Sequence, residues 1–217
     1  MTLRFADGVH WCVANNRVVL LDVKADTYSG LPEIADQAFR KCLDDRPLTP
    51  AERDALHDLT DSGLLVPAQT CAEPLTVRGV TRSLLDGTPP ATSVSLPALA
   101  DQILEGLRLA IYPLEHILAT ARHRKSHARR RIEALDDGLR ADIRRFMASR
   151  RLLSRHAQCL RTSLALSAYL ARRDFYPDVV IGVRMRPFAA HAWVQFGDIV
   201  LNDSVDEVIP FTPILVI

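Results

Sequence analysis

Paired cysteines, a membrane-length apolar run and a large net charge are all missing from this chain, and each absence narrows what it does. The four cysteines, Cys12, Cys42, Cys71 and Cys159, stand far apart. No Cys-x-x-Cys spacing points to zinc, and neither a metal nor an organic cofactor is expected. No apolar run reaches the roughly 18 residues needed to span a bilayer. The first seven residues, Met-Thr-Leu-Arg-Phe-Ala-Asp, lack the apolar core of a secretory signal, so a cytoplasmic location is expected. The formal net charge is +1, which gives no electrostatic case for nucleic acid or a membrane as partner.

What is present is an ordinary globular composition, 48% apolar and 24% charged, over 217 residues. That length suits one large domain or two small ones. The charge is unevenly spread. Residues 1–66 carry 7 basic and 11 acidic side chains, whereas residues 122–155 carry 12 basic and 4 acidic. The run from His123 to Arg131 could attract phosphates, an acidic partner or an acidic leader. Without interleaved aromatics it reads best as a solvated helix face.

The N-terminal pattern predicts a small β meander and two helices. Val9–Val13 and Arg17–Val23 are strand-like and flank Asn15-Asn16, residues that tolerate a tight turn. Thr27–Leu31 is a third, weaker strand. Pro32 suits the first position of a helix running to about Leu43. Thr49-Pro50-Ala51-Glu52 is a capping box opening a second helix, which Gly63 ends. Residues 68–96, rich in proline and glycine, form a linker or irregular cover. From Leu96 to Ala121, Leu99, Ile103, Leu107, Ala110, Ile111, Leu114 and Leu118 recur at helical spacing, with Pro113 kinking or splitting the helix. A basic helix or pair of helices follows, with Ile132, Leu135, Leu139, Ile143 and Phe146 on its buried side.

The chemistry concentrates near the C-terminus. Cys159 opens an apolar helix, His191 lies in Ala190-His191-Ala192-Trp193-Val194, and a carboxylate follows in Leu201-Asn202-Asp203. A thiol becomes nucleophilic when an imidazole takes its proton and a third group orients the imidazole. The positive end of a helix lowers the thiol pKa further. The 32-residue spacing from Cys159 to His191 accommodates the rest of the helix, a loop through Asp174 and Pro177, a strand Val179–Met185 and a turn at Pro187. Alternation puts His191, Trp193 and Gln195 on one strand face. Asn202 and Asp203 then face opposite ways, so only one of them orients the ring. His156 is a second histidine near the thiol, and Asp206 an alternative carboxylate. The backbone N–H of Cys159 is a candidate oxyanion donor, with Gln158 a candidate for the second. Cys12 and Cys42 lie in apolar patterns and read as core.

The helix Cys159–Leu166, the strand Val180-Ile181-Gly182-Val183 and the strand Phe188–Val194 follow an order that matches transglutaminase-like and papain-like enzymes. Taken together, residues 100–217 resemble the leader peptidase of lasso peptide biosynthesis, the B protein. That resemblance implies a catalytic Cys159, His191 and Asp203, because the lasso peptidases carry an aspartate where papain-like enzymes carry asparagine. Residues 5–67 are similar to the precursor-recognition element of ribosomal peptide natural-product pathways, which binds a leader as an added strand. By that resemblance Thr27, Tyr28, Leu31, Leu56 and Leu59 would line the leader groove.

The fold class expected is α+β: a winged-helix-like recognition domain at 1–67, then a transglutaminase- or papain-like cysteine peptidase domain at 97–217, helices packed on an antiparallel sheet. The implied reaction is hydrolysis of the leader–core bond. Its partners would be the precursor peptide and a separate ATP-dependent, asparagine-synthetase-like lasso cyclase. Two rivals predict different behaviour: an acyltransferase in which an amine resolves the thioester, and a non-catalytic precursor-binding scaffold.

Overall fold

The computed structural model describes residues 3–68, 73–86, 95–129, 131–150 and 159–217. A short strand β1 (Leu3–Phe5) precedes the hairpin β2 (Val9–Ala14) and β3 (Arg17–Asp22). Its turn residues Asn15 and Asn16 have φ of 53° and 62°, the left-handed geometry that a two-residue hairpin turn requires. Strand β4 (Thr27–Gly30) completes the order β2-β3-β4. Helix α1 (Glu33–Leu43) begins just after Pro32, which is its N-cap residue and not its first helical one. Helix α2 (Pro50–Asp61) has the expected capping box: Glu52 N–H donates to Thr49 Oγ1 at 3.3 Å, and Thr49 N–H to Glu52 Oε2 at 2.8 Å. Gly63, at φ +75°, turns the chain into β5 (Leu65–Pro67), which pairs with β1.

The meander is a middle layer, because alternation sends its side chains to two different cores. Trp11, Val18 and Leu20 join Leu3, Phe5, Leu31, Phe39, Leu56 and Leu65 beneath α1 and α2. Cys12, Ala14, Val19, Leu21 and Val23 belong instead to the larger core of the C-terminal half.

That half contains β6 (Arg82–Ser83), α3 (Leu96–Ile111), α4 (Leu114–Ser126), α5 (Asp137–Arg150), α6 (Cys159–Ala171), β7 (Asp178–Arg184), β8 (Ala189–Phe196), β9 (Ile199–Val200), α7 (Val205–Val208) and β10 (Thr212–Val216). Its sheet runs β10-β7-β8-β9-β6, antiparallel except where β6 joins β9. Helix α6 covers one face, where Leu164, Leu166 and Leu170 share a core with Val179, Ile181, Ala192 and Val194. On the other face Val180, Trp193, Val200 and Val208 form a small third core. The expected α+β class is what the chain adopts. No helix among the described residues is long and apolar enough to cross a membrane.

Pro113 splits the middle helix into α3 and α4, as the sequence suggested. The apolar repeat of α3, however, faces outward. Ile103, Leu107 and Ile111 are exposed, while Asp101, Gln102 and Glu105 are buried. The inversion is possible because each buried polar group has a distant or local partner. Asp101 takes a two-pronged ion pair from Arg172, Gln102 Nε2 donates to the Phe146 carbonyl at 3.3 Å, and Glu105 pairs with Arg108 at 2.7 Å. Ile132 is likewise exposed, at the chain's irregular passage between α4 and α5, whereas Leu139, Ile143 and Phe146 are buried as expected.

Candidate active site

Cys159 is the first residue of α6 and is half-buried. The positive end of a helix dipole favours a thiolate there. His191 lies on β8 and faces Gly182 across the β7–β8 ladder. Asp203 follows β9 by three residues, and its Oδ2 lies 2.8 Å from His191 Nε2. The second ring nitrogen is left for the thiol, and His191 and Cys159 are near enough to shift each other's protonation. Sulfur, imidazole and carboxylate thus come together from α6, β8 and the bend after β9.

The electrostatics follow from these contacts. Burial pushes the Cys159 thiol up, but the hydrogen bond and charge of His191, with the backbone amides of Ala192 and Leu160, outweigh it and hold the thiol below its usual value. For His191, burial works against the charged ring. Its bonds to Asp203 and Cys159, and their charges, more than offset that and raise it to about 9. Both shifts act in the direction that favours a thiolate–imidazolium pair.

Two aromatic rings flank the imidazole: Trp193 at 6.2 Å and Phe211 at 5.1 Å between centroids. Trp193 Nε1 donates to Gln195 Oε1 at 2.8 Å, and Gln195 in turn donates to the carbonyls of Arg78 and Gly197. Gly182 makes this packing possible. A Cβ there would come within 2.8 Å of Trp193 Cζ3 and 3.0 Å of Phe211 Cβ.

Several supporting residues were not evident from sequence. Asn202, adjacent to Asp203, turns into the protein and accepts from Val194 N–H at 2.7 Å. It also donates to Ser163 Oγ at 2.9 Å, and Ser163 donates to the Ala192 carbonyl at 3.0 Å. Asn202 and Asp203 thus have different partners, although they lie in a bend beyond β9 and not on the alternating strand expected from the sequence. Ser83, within the stretch read as linker or cover, donates to the Asp203 backbone carbonyl at 2.6 Å. Beside it, Thr81 and Arg82 bind Asp198 and hold its carboxyl well below the usual range.

The other candidate residues fall in different places. Asp206 is exposed on α7, away from the bond that Asp203 makes. Gln158 and His156 lie outside the described residues, as does Cys71. Of the groove candidates, Leu31 and Leu56 are buried in the second core and Leu59 packs against it. Thr27 is exposed, and Tyr28 is half-buried with its ring 5.5 Å from that of Phe188. His123 and His127 stack at 3.9 Å at the end of α4. Among the described residues no group of three or more His, Cys, Asp or Glu side chains is placed to hold a metal ion.

Two comparisons with known proteins gave a match. The family model described as the transglutaminase-like superfamily matches residues 105–216. The microcin J25-processing protein McjB of Escherichia coli is 44% identical over 48 residues, which is 22% of this chain and 23% of that protein. The match therefore spans about a quarter of the relative's length. No solved structure matches.

Proposed function

The chain belongs to the transglutaminase-like superfamily, and from that membership we propose that it is a cysteine peptidase of lasso peptide maturation, removing the leader from a precursor peptide. The observation that carries this reading is the convergence of Cys159, His191 and Asp203, with His191 and Asp203 hydrogen-bonded at 2.8 Å. The similarity to a microcin-processing protein supports the choice of substrate class.

In the proposed reaction the Cys159 thiolate attacks the carbonyl carbon of the leader–core bond. The backbone N–H of Cys159, at the start of α6, would donate to the oxyanion. His191 gives its proton to the departing amine as the C–N bond breaks, leaving a thioester on Cys159. The neutral imidazole then takes a proton from water as the hydroxyl adds. Collapse frees the leader's carboxylate and restores the thiolate–imidazolium pair. Asp203 stays ionised and fixes the ring's tautomer and direction.

The meander would hold the leader by strand addition at β4, which is the outer strand of its sheet. Three of its four residues are exposed, and the fourth, Tyr28, meets Phe188 only three positions before His191. A leader on that edge is thus held beside the thiol, which raises its effective concentration there. The freed core peptide would pass to an ATP-dependent lasso cyclase.

The test is mass spectrometry of a synthetic lasso precursor after incubation with the protein. Hydrolysis gives leader and core fragments whose masses sum to the precursor plus one water, and Cys159→Ala gives neither. A leader–amine adduct would instead identify an acyltransferase. Unchanged processing by Cys159→Ala would leave a binding scaffold.

A further inference from the structure

Ser163 and Asn202 touch neither the thiol nor the imidazole, yet they stand next to every member of the site. Ser163 is one helical turn after Cys159, Asn202 immediately precedes Asp203, and the Ala192 carbonyl to which Ser163 donates belongs to the residue after His191. Both side chains are buried, Ser163 completely and Asn202 to within 3%. Their bonds are all made: Val194 N–H to Asn202 Oδ1 at 2.7 Å, Asn202 Nδ2 to Ser163 Oγ at 2.9 Å, and Ser163 Oγ to the Ala192 carbonyl at 3.0 Å.

We propose that Ser163 and Asn202 are positioning residues, a buried polar latch that fixes the start of α6, strand β8 and the turn after β9 in the one alignment where thiol, imidazole and carboxylate meet. This rests on the thiol-peptidase reading above. The sulfur depends on that alignment twice, because Ala192 supplies a backbone amide toward Cys159 as well as the carbonyl that Ser163 grips. Without the hydroxyl, β8 loses its buried serine bond to α6, and the amide is free to drift from the sulfur. A satisfied buried network of this kind specifies one arrangement in a way apolar packing does not.

The experiment compares Ser163→Thr, which keeps the hydroxyl, with Ser163→Val, which has the same shape without it, and adds Ser163→Ala and Asn202→Ala. The readout is the pH dependence of Cys159 alkylation by iodoacetamide, followed by mass spectrometry well below each variant's melting temperature. In the wild type and Ser163→Thr the midpoint lies below the ordinary thiol value. In Ser163→Val and Ser163→Ala it moves upward by about 0.5–1 pH unit, and alkylation at neutral pH slows about three- to tenfold. Identical midpoints in Thr, Val and Ala variants would reduce the latch to ordinary packing and overturn the proposal. A wild-type midpoint at the ordinary thiol value would instead overturn the thiol-peptidase reading, and the latch with it.

Discussion

Cys12 and Cys159 are the same residue in two regions of one molecule, and their surroundings drive them in opposite directions. Cys12 sits on β2 among aliphatic side chains, 3% exposed, and burial alone pushes its thiol up to about 12. Cys159 is also penalised by burial, but it faces His191 and the end of α6, and its thiol is held down. Burial by itself makes an inert cysteine, and a charged, hydrogen-bonded partner makes a reactive one. The meander cysteine therefore serves as an internal reference for the site.

The largest test of that contrast is nucleophile removal. Cys159→Ala should lower cleavage of a precursor by about 10³-fold or more. Cys12→Ala should leave kcat within about twofold and register only as a lowered melting temperature. Next comes Asp203→Asn, which keeps the shape but favours the wrong imidazole tautomer. Its expected cost is about 10²-fold in kcat, with KM little changed. If Asp203→Asn were silent, the asymmetry between the cysteines would owe nothing to the carboxylate. Gly182→Ala is a milder probe, forcing a methyl into the Trp193 and Phe211 contact. It should cost about 1–3 kcal/mol in denaturant stability and reduce kcat about tenfold as the imidazole shifts. The smallest effect is one of pH. Above about 9 His191 is neutral and has no proton for the leaving amine, so the rate should fall to half its plateau near pH 9. Loss of His191's partner in Asp203→Asn should move that limb downward.

Much of the framework was legible because its signals are local. The Thr49–Glu52 capping box, the Asn15-Asn16 turn and the Pro113 break each need only neighbouring residues, and all three appear. The helix–strand–strand order around Cys159, His191 and Asp203 was legible as a motif. Features made by distant partners were not. Nothing near Asp101 or Gln102 announces that Arg172 and the Phe146 carbonyl will satisfy them, so the apolar repeat of α3 pointed to the wrong face. The pairing of β1 with β5 and the latch between Ser163 and Asn202 depend on chain segments brought together from far apart. Ser83 was hidden in a stretch whose prolines and glycines suggested only irregular chain, yet it bonds the backbone of Asp203. The leader-groove candidates divide for a similar reason: a strand pattern gives alternation, but not which side another helix will cover. Leu31 and Leu56 are spent on the second core, while Thr27 and Tyr28 keep an accessible edge.

The most direct measurement is a side-by-side titration of the two thiols, by iodoacetamide labelling of the folded protein across pH with peptide-level mass spectrometry. Cys159 should be labelled with a midpoint below the roughly 8.5 of a free thiol, and Cys12 should remain unlabelled until well above it. A Cys159 midpoint at or above that of a free thiol, or equal labelling of both cysteines, would contradict the ion pair on which the proposed hydrolysis depends.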